Sequence, residues 1–169
     1  MTDTALDHER SELLASLAQQ RTFLFQTVDG LTDEQAALRT TPSELCLGGI
    51  VKHVASVEKG WVDFIRTGVA MGNTPEAYES HANSFKMLPG ETLQSILDGS
   101  GRVAAETEAL VTTLSSLDES HPLPETPWFP PGTSWSARTV LLHVLAETAQ
   151  HAGHADIIRE ALDGAKTMG

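Results

Sequence analysis

The sequence predicts an all-α protein, a four-helix bundle, on three observations. Four segments of about twenty residues or more carry apolar side chains at alternating spacings of three and four. Capping residues bound them, and polar or proline-rich connections separate them. No stretch shows the sustained two-residue alternation of a sheet strand. At 169 residues and 40% hydrophobic, the chain suits a single domain over residues 1–169 with a real core.

The first helical segment is residues 7–28. Leu13, Leu17, Leu24 and Val28 make its apolar stripe, Leu14, Ala18 and Phe25 flank it, and Asp29-Gly30 ends it. Thr32 caps a short turn through Asp33 and Glu34, with Gln35 at the capping-box position. Thr40-Thr41-Pro42-Ser43 is a loop, because the residue before a proline avoids helical angles. The second helix is residues 45–66, with Ile50, Val54, Val57, Trp61 and Phe64 on its buried face. Gly48-Gly49, near its start, admits the close approach of another backbone. His53 shares the stripe with Ile50, Val54 and Val57 and therefore points inward. Taken alone, it reads more readily as a satisfied core histidine than as a ligand.

Residues 67–90 have no sustained period and are rich in turn residues, a long connection suited to a crossover that covers or lines a site. His81 within it reads as a solvated loop histidine. The third helix, residues 92–117, repeats Leu93, Ile96/Leu97, Ser100, Val103/Ala104, Thr107, Leu110/Val111 and Leu114 as a bundle seam. Gly99 and Gly101 each lower its helix propensity by about 1 kcal/mol and mark a bend or a tight contact. Short connections after the first and third helices favour antiparallel neighbours. Residues 118–133 are proline-rich: His121, before a proline, is expected to face solvent, and Trp128 and Phe129 to pack over a bundle end or rim a pocket.

The fourth helix spans residues 136–164, from the N-cap Ser136 to the C-terminal Gly164, with only Gly153 against it. Every third or fourth residue gives Val140, His143, Val144, Glu147, His151, Ala155 and Ile158, a stripe apolar at its ends and ionisable in its middle. Ionisable groups facing a core are costly unless paired or bound to metal. Glu147 and His151, four apart, project from successive turns and can serve one cation, although such pairs also occur on solvated faces. In a bundle, His53 from the second helix can meet that pair in the interior. Two imidazole nitrogens and one carboxylate would leave coordination positions open, as in catalytic rather than structural zinc sites.

Composition excludes several function classes. A formal net charge of -12 repels phosphate backbones and anionic membrane surfaces, so neither nucleic acid nor membrane is an expected partner. No apolar run approaches a membrane span, and the acidic start M-T-D-T-A-L-D-H-E-R lacks the order of a signal peptide. With Cys46 the one cysteine and no internal disulfide open to it, the expected location is the cytoplasm. Cys46 reads as a small buried residue and not as a nucleophile.

The stretches G-I-V-K-H-V-A-S-V-E-K-G-W around His53 and L-L-H-V-L-A-E-T-A-Q-H-A-G-H-A-D-I-I-R-E around His151 resemble the DinB-like superfamily, and within it the mycothiol S-transferase branch. The resemblance runs through nearly the whole chain in segment order. Much of that superfamily carries three histidines, the last two as H-x-x-x-H; here Glu147 holds the first of those two places. His-Glu-His is similar to the set in mycothiol-dependent maleylpyruvate isomerase. The resemblance implies His53, Glu147 and His151 as ligands of a divalent metal ion, zinc first, with no catalytic residue beyond them. It also implies an up-down-down-up bundle, a homodimer, and mycothiol as thiol co-substrate for a small electrophile, in detoxification. The isomerase's additional C-terminal domain has no counterpart here, which speaks against isomerisation of maleylpyruvate itself.

His143 and His154 flank the pair and are candidates to orient a ligand. For His154, a hydrogen bond to the second helix or a loop competes with any role at the metal. Asp156 and Arg159 are expected in surface or interface ion pairs. Two alternatives to the transferase are a metal-dependent hydrolase and a non-catalytic metal-binding stress protein.

Overall fold

The computed structural model describes residues 7–70, 72, 74–127 and 129–167. The first helix, α1 (His8–Gln26), is capped by the Asp7 carboxylate, which accepts from the Arg10 amide at 2.9 Å. A short α2 (Asp33–Ala37) carries the expected capping box, Thr32 and Gln35 each satisfying the other's backbone donor. Next comes α3 (Leu47–Thr67), which closes on Gly68 at φ +72°, a left-handed residue. The 67–90 segment holds a helix that the period did not reveal, α4 (Pro75–Ser84), capped by Thr74 with proline in its first turn. Beyond it, α5 (Leu93–Thr113) starts from a Thr92/Ser95 capping box and ends four residues short of the expected boundary.

The proline-rich connection also differs from expectation, because it forms a small hairpin. Strand β1 (Ser120–Pro122) pairs antiparallel with β2 (Ser134–Ser136), His121 lying opposite Trp135. Three-residue strands are too short for alternation to register. His121 does not face solvent: it is half-buried, its Nε2 donates to the Ile65 carbonyl at 3.1 Å, and its ring meets Phe64 edge-on. The Phe129 ring packs edge-on to Trp135, whereas Trp128 lies outside the described residues. The last helix, α6 (Ala137–Asp163), runs between the two caps read from sequence, Ser136 and Gly164 at φ +81°.

Side-chain ties fix the directions of the long helices. Arg138 pairs with Glu9 near one end of α1, and Arg159 Nη1 donates to the Thr27 carbonyl at 3.0 Å beyond the other, so α1 and α6 are parallel. Lys52 meets Glu91 at 2.7 Å and Lys59 meets Glu106 at 3.8 Å, so α3 and α5 are parallel too. On α3 and α6, His53 lies by His151 and Trp61 by His143, an antiparallel pair. The order is therefore up-down-down-up, and the connection bearing α4 is the crossover. The closest packing is α1 on α6 and α3 on α5, then α3 on α6. Helices joined by the shorter connections, α1 to α3 and α5 to α6, are antiparallel but lie diagonally across the bundle rather than side by side.

Two apolar clusters fill the interior, one around Leu24, Ile50, Val51 and Ile158, the other around Leu17, Phe64, Val111 and Val144. At the level between them sits a buried charge pair on the same stripes. Arg21 Nε donates to Glu58 Oε2 at 3.1 Å, while Arg21 Nη2 and Thr107 Oγ1 both donate to Glu58 Oε1. Gly99 and Gly101 mark no tight backbone contact, with only the far end of Arg102 near the first and nothing near the second. Arg159 pairs with Asp163 and satisfies carbonyls past the end of α1. Asp156 makes no ion pair among the described residues; its carboxylate accepts from the amide and hydroxyl of Thr167.

Candidate metal centre and adjoining cavity

The site begins with Gly48 and Gly49. A Cβ on Gly49 would collide with the Phe85 carbonyl, and one on Gly48 with Met87 Sδ. The glycines thus let the chain leaving α4 cross directly over α3, which sets Phe85 and Ser84 on His53. The Phe85 ring stacks on the His53 imidazole, centroids 3.6 Å apart and planes 20° apart. Cys46, buried at the start of α3, lies under the same carbonyl with its Sγ 3.9 Å from Phe85 O.

A hydrogen-bond chain then assigns the protons of His53. Ser84, buried, donates its hydroxyl to the His81 carbonyl at 2.6 Å. A hydroxyl has one proton, so at 2.9 Å from His53 Nδ1 the same oxygen can only accept. Nδ1 of neutral His53 therefore carries its proton, and Nε2 keeps its lone pair. Sequence reading did not select Ser84; Thr74-Pro75-Glu76, a cap followed by proline and an acid, was the signal for the helix that delivers it. That helix also brings His81 edge-on to His53 at 5.3 Å, so His81 belongs to the cluster rather than to a solvated loop, although much of it stays exposed.

From α6, Glu147 and His151 approach the same point. The His53 and His151 rings lie 4.9 Å apart, and one ligand atom from each of His53, Glu147 and His151 falls within 4.8 Å of the others. Among the described residues neither nitrogen of His151 has a hydrogen-bond partner: Nδ1 is buried, and Nε2 is 3.6 Å from Glu147 Oε2. His143, one turn earlier, packs against both Trp61 and Trp135, 5.1 Å from each ring, with Nε2 3.8 Å from Glu147 Oε1. His154 packs its ring edge-on to His151 at 5.3 Å, and its Nδ1 is also buried without a partner, so the hydrogen bond to α3 or a loop is not made.

Burial first, with the neighbouring His151 and His81 adding to it, pushes the His53 imidazole down to about 3. His151 is also held below the ordinary histidine value by burial, with Glu147 opposing and His154 adding. His143 is lowered by burial against the pull of Glu147. These imidazoles are neutral near pH 7, the form that offers a lone pair.

His53, His143 and Glu147 also form one wall of a cavity of about 490 Å³. Trp61 and Phe64 of α3, Tyr78 of α4, and Phe129 from the hairpin connection line the rest. Val57 and Trp61, assigned to the buried face from sequence, are half-buried because they front this space.

Fold and cluster together define a DinB-like helical bundle with nitrogen and oxygen donors gathered in its interior. A family model described as Mycothiol-S-transferase matches residues 12–164. The chain therefore belongs to the mycothiol-S-transferase family, and its class is that of a transferase enzyme. No curated protein gives a significant match. No helix among the described residues is long and apolar enough to cross a membrane.

Proposed function

We propose that the protein conjugates mycothiol to small electrophiles in a reaction that depends on a divalent cation, zinc first, held by His53, Glu147 and His151. The observation that carries the reading is the convergence of three donors on one point from two helices. Two of them have lone pairs that no group among the described residues uses. The fit is chemical as well as spatial: two neutral imidazoles and one carboxylate suit zinc and other borderline transition ions. A cation in such a set supplies the positive charge that favours thiolate over thiol near neutral pH.

The chain's own groups do the remaining work. Ser84 holds the His53 proton on Nδ1, so that Nε2 faces the cluster. Phe85 covers the outer face of that ring and excludes water from it. His143, 3.8 Å from the Glu147 carboxylate and not hydrogen-bonded to it, faces the cavity where the two substrates meet. The thiolate sulfur forms a bond to the electrophilic carbon. The displaced electron pair leaves with a departing group or moves into a conjugated carbonyl. The proton lost by the thiol passes to solvent or to the product. No side chain has to form a covalent intermediate.

The test is conjugation of N-ethylmaleimide to mycothiol, with the uncatalysed rate subtracted. Catalysis should be present in zinc-loaded protein, disappear on chelation, return with added metal, and be absent in His53→Ala. No rate above background with mycothiol or any other small thiol, across several electrophiles, would overturn the transferase reading for this site and advance the metal-dependent hydrolase.

A further inference from the structure

The cavity beside the donor cluster has a definite chemical character. Its walls are chiefly Val57, Trp61, Phe64, Ala70, Pro124 and Phe129, and among the described residues that line it there is no lysine or arginine. The one acidic side chain among the described lining residues is Glu147, in a protein of net charge -12. A cavity of about 150 Å³ already accommodates benzene. The observed 490 Å³ therefore holds a compound of one or two rings together with the cysteinyl end of a thiol.

We infer that this cavity is the acceptor site and that it selects an uncharged, aromatic-sized electrophile against anionic electrophiles. The inference rests on the transferase reading for its chemistry but not for its ligand class. Trp61 supplies the aromatic surface: it stacks on Trp135 at 4.9 Å and stands edge-on to Phe64 at 5.5 Å, so its ring is held before a ligand arrives. An anionic acceptor would meet no lysine or arginine among the described residues of the walls. One carboxylate and one thiolate would already neutralise a divalent ion at the cluster.

The experiment compares two maleimides with the same reacting group, N-phenylmaleimide and 4-maleimidobenzoic acid, the second an anion at pH 7. In either case sulfur bonds to one alkene carbon, the π pair moves toward the imide oxygen, and the other carbon takes a proton from solvent. No group leaves. Net of background, kcat/KM should be at least about tenfold higher for the neutral compound. Ala77→Phe, which fills the cavity from α4, and Trp61→Ala should each lower that value about tenfold or more, mainly through KM.

N-phenylsuccinimide has no alkene to accept sulfur, so it reports binding without reaction. It should quench tryptophan fluorescence saturably in wild type and not in Ala77→Phe, while its 4-carboxylate analogue should not. Equal kcat/KM for the two maleimides, or full activity and binding in a folded Ala77→Phe, would overturn the inference. Saturable, charge-selective succinimide binding without turnover of either maleimide would uphold the ligand class and count against the transferase. Neither binding nor turnover would overturn the inference.

Discussion

Two polar clusters interrupt the core of this bundle, and they are built in opposite ways. Arg21, Glu58 and Thr107 come from three helices, and both oxygens of the Glu58 carboxylate are met by protein donors. That cluster is closed. His53, Glu147 and His151 come from two helices, and the His53 Nε2 lone pair and both nitrogens of His151 are left without a protein partner. That cluster is open, and it fronts a cavity through His53 and Glu147. Burial alone therefore does not separate the two clusters, since Glu58 and His53 are about equally hidden, at 2% and 3% exposure. The unused valence does.

The largest difference should appear in stability. Glu58→Ala strands a buried guanidinium and should cost about 3–5 kcal/mol in urea unfolding, whereas replacing Arg21 and Glu58 together by methionine and leucine should recover most of that. A loss below about 1 kcal/mol in Glu58→Ala would show that the closed cluster is not holding the bundle together.

The open cluster should instead reveal itself through pH. A histidine in the unfolded chain takes up a proton near 6.5, while folded His53 resists until about 3. Between those values the unfolded state binds more protons, so stability rises with pH and falls on acidification. Metal-free protein moved from pH 7 to pH 5 should lose about 2 kcal/mol through His53 alone, and His53→Leu should lose correspondingly less. An unfolding midpoint that does not differ between pH 5 and pH 7 would contradict the buried, neutral imidazole.

Smaller still is the effect of the residue that fixes the tautomer. Ser84→Ala leaves every donor in place but frees the His53 ring and its proton, so zinc affinity by chelator competition should drop about tenfold. Ser84→Thr, which keeps the hydroxyl, should restore most of it. Equal affinity in Ser84→Ala and wild type would mean that the hydrogen-bond chain through the His81 carbonyl does not orient the ligand.

How much of this was legible in the sequence differs between the same two clusters. The ends of α6 were readable because Ser136 and Gly164 are local signals, and the i, i+4 pair on it needs only helical geometry. His53 could be placed facing inward by its stripe. Arg21 and Glu58 also lie in register with buried stripes, Arg21 between Leu17 and Leu24, yet charged side chains on a stripe read as surface until their partner across the bundle is known. α4 escaped because a ten-residue helix laid over one side of a bundle needs few apolar positions to hold it. With it went Ser84 and the place of His81, both of which depend on Phe85 seating against Gly49, a contact across 36 residues of chain. The hairpin escaped because three-residue strands carry no period.

Metal content after purification without added metal tests the central claim most directly. Wild type and His154→Ala should each carry about one equivalent of a divalent transition ion, and His151→Ala should carry essentially none while keeping its helical circular dichroism. Equal metal in wild type and His151→Ala, or none in any of the three after zinc is supplied, would contradict the assignment of the open cluster as the metal centre.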